Sequence, residues 1–389
     1  MRHRRILICV AVMLLVGCTA STTSSATVPV ATSAPASTTA PSSSSPAQPT
    51  AGTIVEKTVA SGLDHPATFV FDRTGAIYYG ERLTGEIRRI DPTTGKNTSV
   101  FTIPDVIGTL TNEQGLVGLA LPPSFPQLSP YLYAYATRKV NGVAEDQIVR
   151  IKMNGDTGTG MHLVLDVQQA GIRHNGGRML FGPDGALYVV VGETEQSQLA
   201  QDLSVNSGKV LRMTPIGGVP KDNPFKGSLV YSYGHRNSFG LAFDPKTHDL
   251  WETENGPECN DEINRIIPGR NYGWGPSENC TGTAPEDTNN SGPRPVLPQL
   301  WYAQTIGPTG IAFCDGCHLG TAREGDIFFG AFNTGDIHEV SLNPSRTTAV
   351  RDSTPFNHGN LVLSIERGPD GSLYFSDGVG IFKLALKRS

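Results

Sequence analysis

The sequence predicts an all-β protein, a six-bladed β-propeller whose blades are four-stranded antiparallel sheets. Helical periodicity is scarce, whereas short alternating apolar runs bounded by Gly, Pro and Asp recur throughout. One phrase, a tight turn followed by an apolar strand, recurs six times. Its copies are FDRTGAIYYGER (71–82), LPPSFPQLSPYLYAYA (121–136), FGPDGALYVVVGE (181–193), FDPKTHDLWETENG (243–256), GDIFFGAFNTGDIHEV (325–340) and RGPDGSLYFSDGVGIFKL (367–384). A unit of roughly 55 residues has the size of a four-stranded blade with its loops.

Each copy has the same order of elements. A turn such as PDG or DRTG supplies residues that tolerate left-handed backbone, which a tight hairpin requires. A strand follows, then a polar turn, then a second strand such as EIRRI, QIVRI or DEINRI. A β-sandwich is the alternative architecture, but it gives no reason for one phrase to repeat. Because a propeller gathers the loops of its blades around one end of a central channel, a functional site is expected in loops beside the repeated strands.

The N-terminus has the features of an export signal. Three arginines within the first five residues precede a short apolar run (6–16), which is too short for a retained membrane span; an uncleaved anchor helix is the alternative. The run ends in LVGC (15–18), which resembles the bacterial lipobox, where small residues precede a lipidated cysteine. We therefore predict a signal peptide over residues 1–17 and lipidation of Cys18. The mature lipoprotein would be anchored to the outer face of a bacterial cytoplasmic membrane.

Residues 18–52 are almost entirely Ser, Thr, Ala and Pro. This composition lacks the apolar surface that offsets the entropy of ordering, so it predicts a disordered tether. The folded domain is expected over residues 53–389, which is enough for one large domain without a second linker. The formal net charge is -5, so there is no basic excess and no nucleic-acid partner is expected.

Four cysteines fall within the predicted domain: Cys259, Cys280, Cys314 and Cys317. An even set in an exported protein favours disulfides over free thiols. Proximity in sequence favours the pairs 259–280 and 314–317, although four cysteines allow three connectivities. Zinc binding by the CDGC segment is the alternative, but it needs a second pair of ligands.

The loop RHNGGR (173–178) precedes the third copy of the phrase and contains the first candidate catalytic residue, His174. The strand that follows ends at Glu193, and a carboxylate that orients an imidazole makes a general base. Paired glycines allow a close approach to the backbone. A blade-closing turn with an incidental histidine is the structural alternative.

The loop GHRN (234–237) precedes the fourth copy. Arg236 beside Asn237 suits a planar anion such as a carboxylate. An arginine that ties two blades together fits the same pattern.

The segment ENGPECNDEINRIIPGRNYGWG (254–275) combines acidic and amide side chains with a Gly-Pro turn. Hard oxygen ligands and free carbonyls in one bend favour calcium, although the ligand spacing of an EF-hand is absent. A disulfide-stapled loop with exposed acids is the alternative. A fourth segment, GPTG (307–310), indicates by itself only a turn that enters the CDGC segment.

At these four loops the sequence resembles the glucose/sorbosone dehydrogenases, also called soluble aldose sugar dehydrogenases. The resemblance covers residues 54–386 and rests on HNGGRMLFGPDGALY, GHRN, and GPECNDEIN followed by NYGW. Members of this family are six-bladed propellers that bind pyrroloquinoline quinone (PQQ) with calcium and oxidise the anomeric carbon of sugars. The resemblance therefore implies an oxidoreductase that acts on an aldose and passes electrons to an acceptor that the sequence does not name.

The resemblance also implies catalytic roles. His174 would remove the proton of the sugar hydroxyl as hydride passes to the quinone. Glu193 falls where the family usually has an aspartate that supports this histidine. The glycines at 176–177 would leave room for a flat cofactor and a sugar, and Thr309 would lie beside the cofactor.

The remaining matched residues would bind the cofactor and the ion. Arg236 and Asn237 would hold the polar edge of the quinone. The carbonyls of Gly256 and Pro257 would bind the calcium ion that polarises the cofactor, with Asp261 supporting the ion.

The sequence departs from the family at the cations of the cofactor site. Members carry a lysine in a phrase like GALK, where this chain has GAFN (330–333). They also carry an RxRD phrase before the last PDG turn, where this chain has LVLS (361–364). Those cations are the main charge partners of the three PQQ carboxylates, and each charge-assisted bond is worth about 1.5–3 kcal/mol. Arg323 and Arg367 are the candidates to replace them.

Two other functions stay open. One is a propeller without turnover whose channel binds an envelope sugar or a protein. The other is a calcium-assisted hydrolase that opens lactones, as other six-bladed propellers do, which is an analogy of fold alone. PQQ binding separates the dehydrogenase from both alternatives, and lactone opening with calcium but without quinone would single out the hydrolase.

Overall fold

A computed structural model of the chain describes residues 52–275, 280 and 292–387. The predicted signal peptide, the predicted lipidation at Cys18 and nearly all of the predicted tether lie outside these residues. Among the described residues, no helix combines the length and the apolar character needed to cross a membrane.

The described residues form twenty-four β-strands and two short 3₁₀ helices, Ser197–Gln201 and Thr321–Arg323. The first thirteen strands are β1 (Ile54–Ser61), β2 (Pro66–Phe71), β3 (Ile77–Glu81), β4 (Glu86–Ile90), β5 (Asn97–Thr102), β6 (Leu116–Ala120), β7 (Tyr131–Val140), β8 (Val143–Asn154), β9 (Thr157–Gln169), β10 (Gly176–Phe181), β11 (Leu187–Val191), β12 (Lys209–Met213) and β13 (Val230–Tyr233). The others are β14 (Ser238–Phe243), β15 (Leu250–Glu254), β16 (Asp261–Ile266), β17 (Leu300–Tyr302), β18 (Pro308–Phe313), β19 (Ile327–Ala331), β20 (Asp336–Leu342), β21 (Ala349–Asn357), β22 (Ser364–Arg367), β23 (Leu373–Ser376) and β24 (Gly380–Leu386).

These strands form six four-stranded antiparallel sheets, which confirms the predicted propeller and rules out the sandwich. Blades one to five are β2–β5, β6–β9, β10–β13, β14–β17 and β18–β21. The sixth blade combines β22, β23 and β24 with the N-terminal strand β1. Ile54 pairs with Leu386 and Ser61 pairs with Gly380, so the two ends of the domain close the ring together.

The repeated phrase marks the hairpin between the first and second strands of a blade. In the third blade, β10 ends at Phe181 and β11 begins at Leu187, with the PDG turn between them. Gly185 has a φ of 77°, and the Asp184 carboxylate accepts the N–H of Ala186 at 3.0 Å. The turn therefore needs both its glycine, for the left-handed backbone, and its aspartate, as an acceptor.

The hydrophobic core lies between neighbouring blades rather than in one central mass. Between the fourth and fifth blades, for example, Trp251 and Ile263 pack with Ile311, Phe329 and Val340. Burying one such side chain contributes about 1.5–3 kcal/mol. Because every blade contributes to two interfaces, each depends on both neighbours and on closure of the ring.

The first strand of each blade lies innermost. Around the axis the packed neighbours are β2, β6, β10, β14, β18 and β22, and β22 returns to β2. The blades share one strand order, so the loops before these six strands meet at one end of the channel. In an antiparallel hairpin, the residues that follow the second strand lie at that same end.

The two disulfides favoured by sequence proximity, Cys259–Cys280 and Cys314–Cys317, are both present. The CDGC segment is therefore a short covalent loop rather than a zinc ligand pair. Cys259 closely follows Gly256 and Pro257, so the first disulfide lies next to the predicted calcium ligands in the sequence.

We expect the double variant Cys259→Ala/Cys280→Ala to lower the free energy of unfolding by about 3 kcal/mol, because a crosslink between residues 21 apart restricts the unfolded chain. Cys314→Ala/Cys317→Ala, with a separation of 3, should cost about 2 kcal/mol by the same argument. Urea titrations of wild type and both variants measure the two losses. A smaller loss for the longer loop would contradict this origin of the stability.

Candidate functional site

The loops at one end of the channel surround a cavity of about 710 Å³. Small-molecule sites have volumes of about 300–1,000 Å³, so this cavity has room for a ligand of that class. Residues of all six blades or of their connecting loops line it. The sequence-predicted residues among them are His174, Arg236, Asn237, Gly256, Pro257, Asp261 and Thr309. Glu193 is not part of the lining and lies behind His174.

His174 is held from two sides. Its backbone N–H donates to Glu113 Oε2 at 2.7 Å, and its Nδ1 lies 2.5 Å from Glu193 Oε1. The Glu193 side chain is only 2% exposed, and that of His174 is 12% exposed. A buried carboxylate at Nδ1 keeps the proton on that nitrogen. Nε2, which no described residue hydrogen-bonds, is then left with its lone pair.

Gly176 and Gly177 permit close packing of strands, whereas the sequence suggested that they leave space for a ligand. Gly176 and Gly177 have φ values of 67° and 102°. A Cβ on Gly176 would lie 2.7 Å from the Gly192 nitrogen, and one on Gly177 would lie 2.5 Å from Val117 Cγ2. The expectation that these glycines make room for a cofactor and a sugar is therefore wrong. They let β10 approach β11 and β6, which no side chain there would permit.

Sequence reasoning missed Glu113, which links three blades at the site. Its Oε2 accepts the His174 backbone N–H at 2.7 Å and the Asn237 Nδ2–H at 3.0 Å. Glu113 stands just before β6, as His174 and Asn237 stand just before β10 and β14. Its position just before a repeated strand could have identified Glu113 as a site residue. The TNEQG segment, however, has no histidine or paired glycine, the features that marked the loop at His174.

Arg236 and Asn237 lie on the floor of the cavity. The Arg236 backbone N–H donates to Glu254 Oε1 at 2.5 Å, and its Nη1 donates to the Asn255 carbonyl at 2.9 Å. The guanidinium also lies 5.4 Å from the ring centroid of Trp274, a cation–π distance. Asn237 Oδ1 is buried and accepts no hydrogen bond from a described residue. A buried acceptor left without a donor costs about 1–3 kcal/mol, so a ligand that donates there would be favoured.

Asp261 joins the predicted calcium segment to the loop that precedes β18. Its Oδ1 accepts the Gly256 N–H at 2.8 Å, and its Oδ2 accepts those of Ile306 and Gly307 at 2.6 and 2.8 Å. Burial raises the pKa of this carboxyl, against the effect of these donors. The carbonyls of Gly256 and Pro257 accept no hydrogen bond from the described residues. Asp261 therefore shapes the loop, and these two carbonyls remain available as ligands.

Thr309 lies in β18, not in a turn as the GPTG segment suggested. A Cβ on Gly310 would lie 2.2 Å from the Ile365 nitrogen, so this glycine permits the close packing of β18 against β22. The Thr309 hydroxyl oxygen lies 3.1 and 3.0 Å from the Gly330 and Val362 carbonyl oxygens, either of which can accept its one proton. Its proton is thus committed to the protein, and a ligand would meet this oxygen only as an acceptor.

A second histidine–carboxylate arrangement lies next to this floor. His235 Nε2 lies 2.8 Å from Ser232 Oγ, and Nδ1 lies 2.8 and 3.0 Å from oxygens of Glu252 and Glu254. Burial opposes the charged imidazole, but the two glutamates outweigh it and raise the pKa of His235 to about 10. All four side chains are buried, so the arrangement supports the Glu254 contact to Arg236 rather than meeting a substrate.

The positions of the family's absent cations also face the cavity. Asn333, Leu361 and Leu363 line it, so the lining there is uncharged. Arg323 pairs with Glu339 at 2.9 Å and Arg367 pairs with Asp315 at 3.0 Å, and neither lines this cavity. The suggestion that these two arginines replace the absent cations is therefore wrong.

The chain matches the Glucose / Sorbosone dehydrogenase family over residues 63–380. Quinoprotein glucose dehydrogenase B of Acinetobacter calcoaceticus is 34% identical over 252 residues, 56% of this chain and 52% of that protein, so the match spans about half of that relative. Aldose sugar dehydrogenase YliI of Escherichia coli strain K12 is 28% identical over 337 residues, 83% of this chain and 89% of that protein.

Solved structures agree with this comparison. The PQQ-bound form of Aldose Sugar Dehydrogenase from Streptomyces coelicolor has a TM-score of 0.74 and 29% identity, covering 88% of this chain and 100% of that one. The family match spans most of the chain and includes every sequence-predicted residue of the cavity. The chain therefore belongs to the glucose/sorbosone dehydrogenase family.

Proposed function

We propose that the protein is a lipid-anchored, extracytoplasmic oxidoreductase that oxidises the C1 hydroxyl of an aldose, with PQQ as hydride acceptor and Ca²⁺ as its Lewis acid. The observation that carries the proposal is His174, an imidazole oriented by a buried carboxylate on the wall of a 710 Å³ cavity. The quinoprotein and PQQ-bound relatives support the choice of cofactor.

Four residues of the cavity fit these two groups. Asn237 Oδ1 lacks a donor, and the Arg236 guanidinium lies beside it in sequence as a cation for a carboxylate. The carbonyls of Gly256 and Pro257 are hard oxygen ligands of the kind that Ca²⁺ prefers. Arg236 and Asn237 would therefore hold the quinone, and the two carbonyls would bind the ion. When bound, PQQ accepts a hydride and Ca²⁺ makes it a stronger acceptor.

The residues of this chain handle the proton. His174 Nε2 would take the proton from O1 as C1 loses its hydride, which turns the hemiacetal into a lactone. The Glu193 carboxylate would stabilise the imidazolium that results. Glu113 would keep the loop in place through the His174 backbone N–H, at 2.7 Å.

We expect Glu193→Gln to lower kcat about 10- to 100-fold, because a neutral amide keeps the contact to Nδ1 but does not stabilise a charged imidazole. Dye-linked sugar oxidation measures kcat, and the melting temperature reports on the fold. The matched control is Glu195→Gln, an exposed glutamate two residues further on, which should behave as wild type. Wild-type turnover in the Glu193 variant would exclude the carboxylate from catalysis.

The deciding experiment is a titration of the purified protein with PQQ and Ca²⁺, followed by the absorbance of the quinone. Aldoses and a redox dye are then added. We expect stoichiometric binding and sugar-dependent reduction of the dye. No binding at micromolar PQQ would overturn the proposal.

A binding propeller without turnover is the second candidate, and the uncharged lining at Asn333, Leu361 and Leu363 favours it. In that case the titration would show no PQQ binding, and calorimetry would still measure binding of a sugar to the protein. Lactone opening with Ca²⁺ alone would point instead to a hydrolase.

A further inference from the structure

The cavity is lined by more cations than acids. Its arginines are Arg82, Arg173, Arg178 and Arg236, and its acids are Glu113 and Asp261. Oε2 of Glu113 and both oxygens of Asp261 accept N–H groups of the protein, and the four arginines of the cavity outnumber these two acids. The electrostatic balance therefore favours an anionic ligand.

Two of these arginines hold the fold together. Arg82 donates to the carbonyls of Asn112, Gln114 and Thr109 at 2.8, 2.9 and 3.0 Å. Arg178 donates to three carbonyls on three other blades. The N–H groups of these two guanidinium groups are hydrogen-bonded to main-chain carbonyls of the protein rather than to a ligand.

Arg173 differs from both. It is exposed and forms no hydrogen bond or ion pair with a described residue. The other exposed lining residues near the mouth include Leu110 and Phe332, which carry no charge to offset it. An arginine in this state offers a planar set of donors that matches a carboxylate or a phosphate.

The depth of each residue indicates which part of a ligand Arg173 would meet. Asn237 and Thr309 are buried at the floor, His174 is partly buried above them, and Arg173 is exposed at the mouth. A sugar whose C1 hydroxyl reaches His174 would extend its opposite end toward the mouth. Arg173 would then meet the end of the sugar remote from C1.

We propose that Arg173 selects an anionic aldose, one that carries a carboxylate or a phosphate at the end remote from C1, as in a uronic acid or a 6-phosphate. The inference that an anionic aldose is oxidised rests on the proposed function. The inference that Arg173 binds the anionic group does not. Arg173 is then a residue that determines substrate specificity, and the reaction itself does not need it.

The test compares glucose, glucuronate and glucose 6-phosphate as substrates of wild type, Arg173→Gln and Arg173→Lys. We expect wild type to prefer one of the anionic sugars over glucose by about tenfold or more in kcat/KM, the worth of one charge-assisted contact. Arg173→Gln should remove that preference through KM, and Arg173→Lys should keep part of it. Arg270→Gln, an exposed arginine outside the cavity, is the matched control. An unchanged preference in Arg173→Gln would overturn the proposal.

Calorimetry separates this inference from the proposed reaction. Glucuronate and glucose 6-phosphate are titrated into wild type and Arg173→Gln without PQQ. If no sugar is oxidised but an anionic sugar binds wild type about tenfold more tightly than the variant, the oxidation fails and the inference stands. Equal binding by both proteins, or no binding to either, would overturn the inference whatever the outcome with PQQ.

Discussion

His174→Ala is expected to lower kcat about 10²- to 10⁴-fold, the contribution of a positioned general base. Nδ1 is committed to Glu193 at 2.5 Å, so Nε2 is the nitrogen that can take the proton of the sugar hydroxyl. Glu113 Oε2 accepts two N–H groups and so holds the backbone of His174 in place rather than its imidazole.

A second variant separates chemistry from folding. The φ of His174 is 57°, a left-handed backbone conformation that asparagine tolerates better than alanine. His174→Asn should lose turnover as fully as His174→Ala while it unfolds at a higher temperature. Dye reduction, PQQ affinity and thermal unfolding are measured for both. Retained turnover in either variant would exclude His174 as the base.

Arg178→Met is expected to lower the free energy of unfolding by about 3–5 kcal/mol, because it leaves three carbonyls without their donor and each buried acceptor without a donor costs about 1–3 kcal/mol. The guanidinium donates to the carbonyls of Val117, Phe239 and Leu363 at 2.7, 3.0 and 2.8 Å, and these belong to the second, fourth and sixth blades or their loops. Burial lowers its pKa to about 10, only partly offset by Glu366, so it remains charged at neutral pH. Methionine fills similar space but leaves three carbonyls without donors.

Denaturant titrations of wild type and Arg178→Met measure this loss. Arg270→Met is the control, because an exposed arginine changes stability by about 0.5 kcal/mol or less. Arg178→Lys should recover part of the loss, since its ammonium keeps the charge but not the planar fork. A loss in the methionine variant no larger than in the control would mean that the blades do not depend on this residue.

The propeller could be predicted because its unit recurs in the sequence, whereas its closure could not. The turn-strand phrase marks the hairpin of each blade, and local hydrophobic alternation carries that information. The strand IVEKTVAS (54–61) is unlike the phrase and pairs with residues more than 300 positions away. No local pattern predicts such a pairing.

Some residues of the candidate site could likewise be predicted from the sequence, and others could not. His174, Arg236 and Asn237 could be found because their residue types suggest chemistry and because they stand before repeated strands. Glu113 stands in the same position, but a lone glutamate in a polar loop carries no such signal. The reason for a glycine at 176 could not be predicted, because its close neighbour Gly192 is 16 residues away in sequence and approaches it only in the folded protein.

The sharing of the sixth blade between both ends of the domain has a consequence for biosynthesis. β1 is the first strand of the domain to be made, and its partner β24 is the last. Until residue 386 has emerged, β1 has no partner and the ring stays open, which exposes strand edges of the kind that invite aggregation. A chain that stops before β24 therefore lacks the strand that joins β1 to the sixth blade.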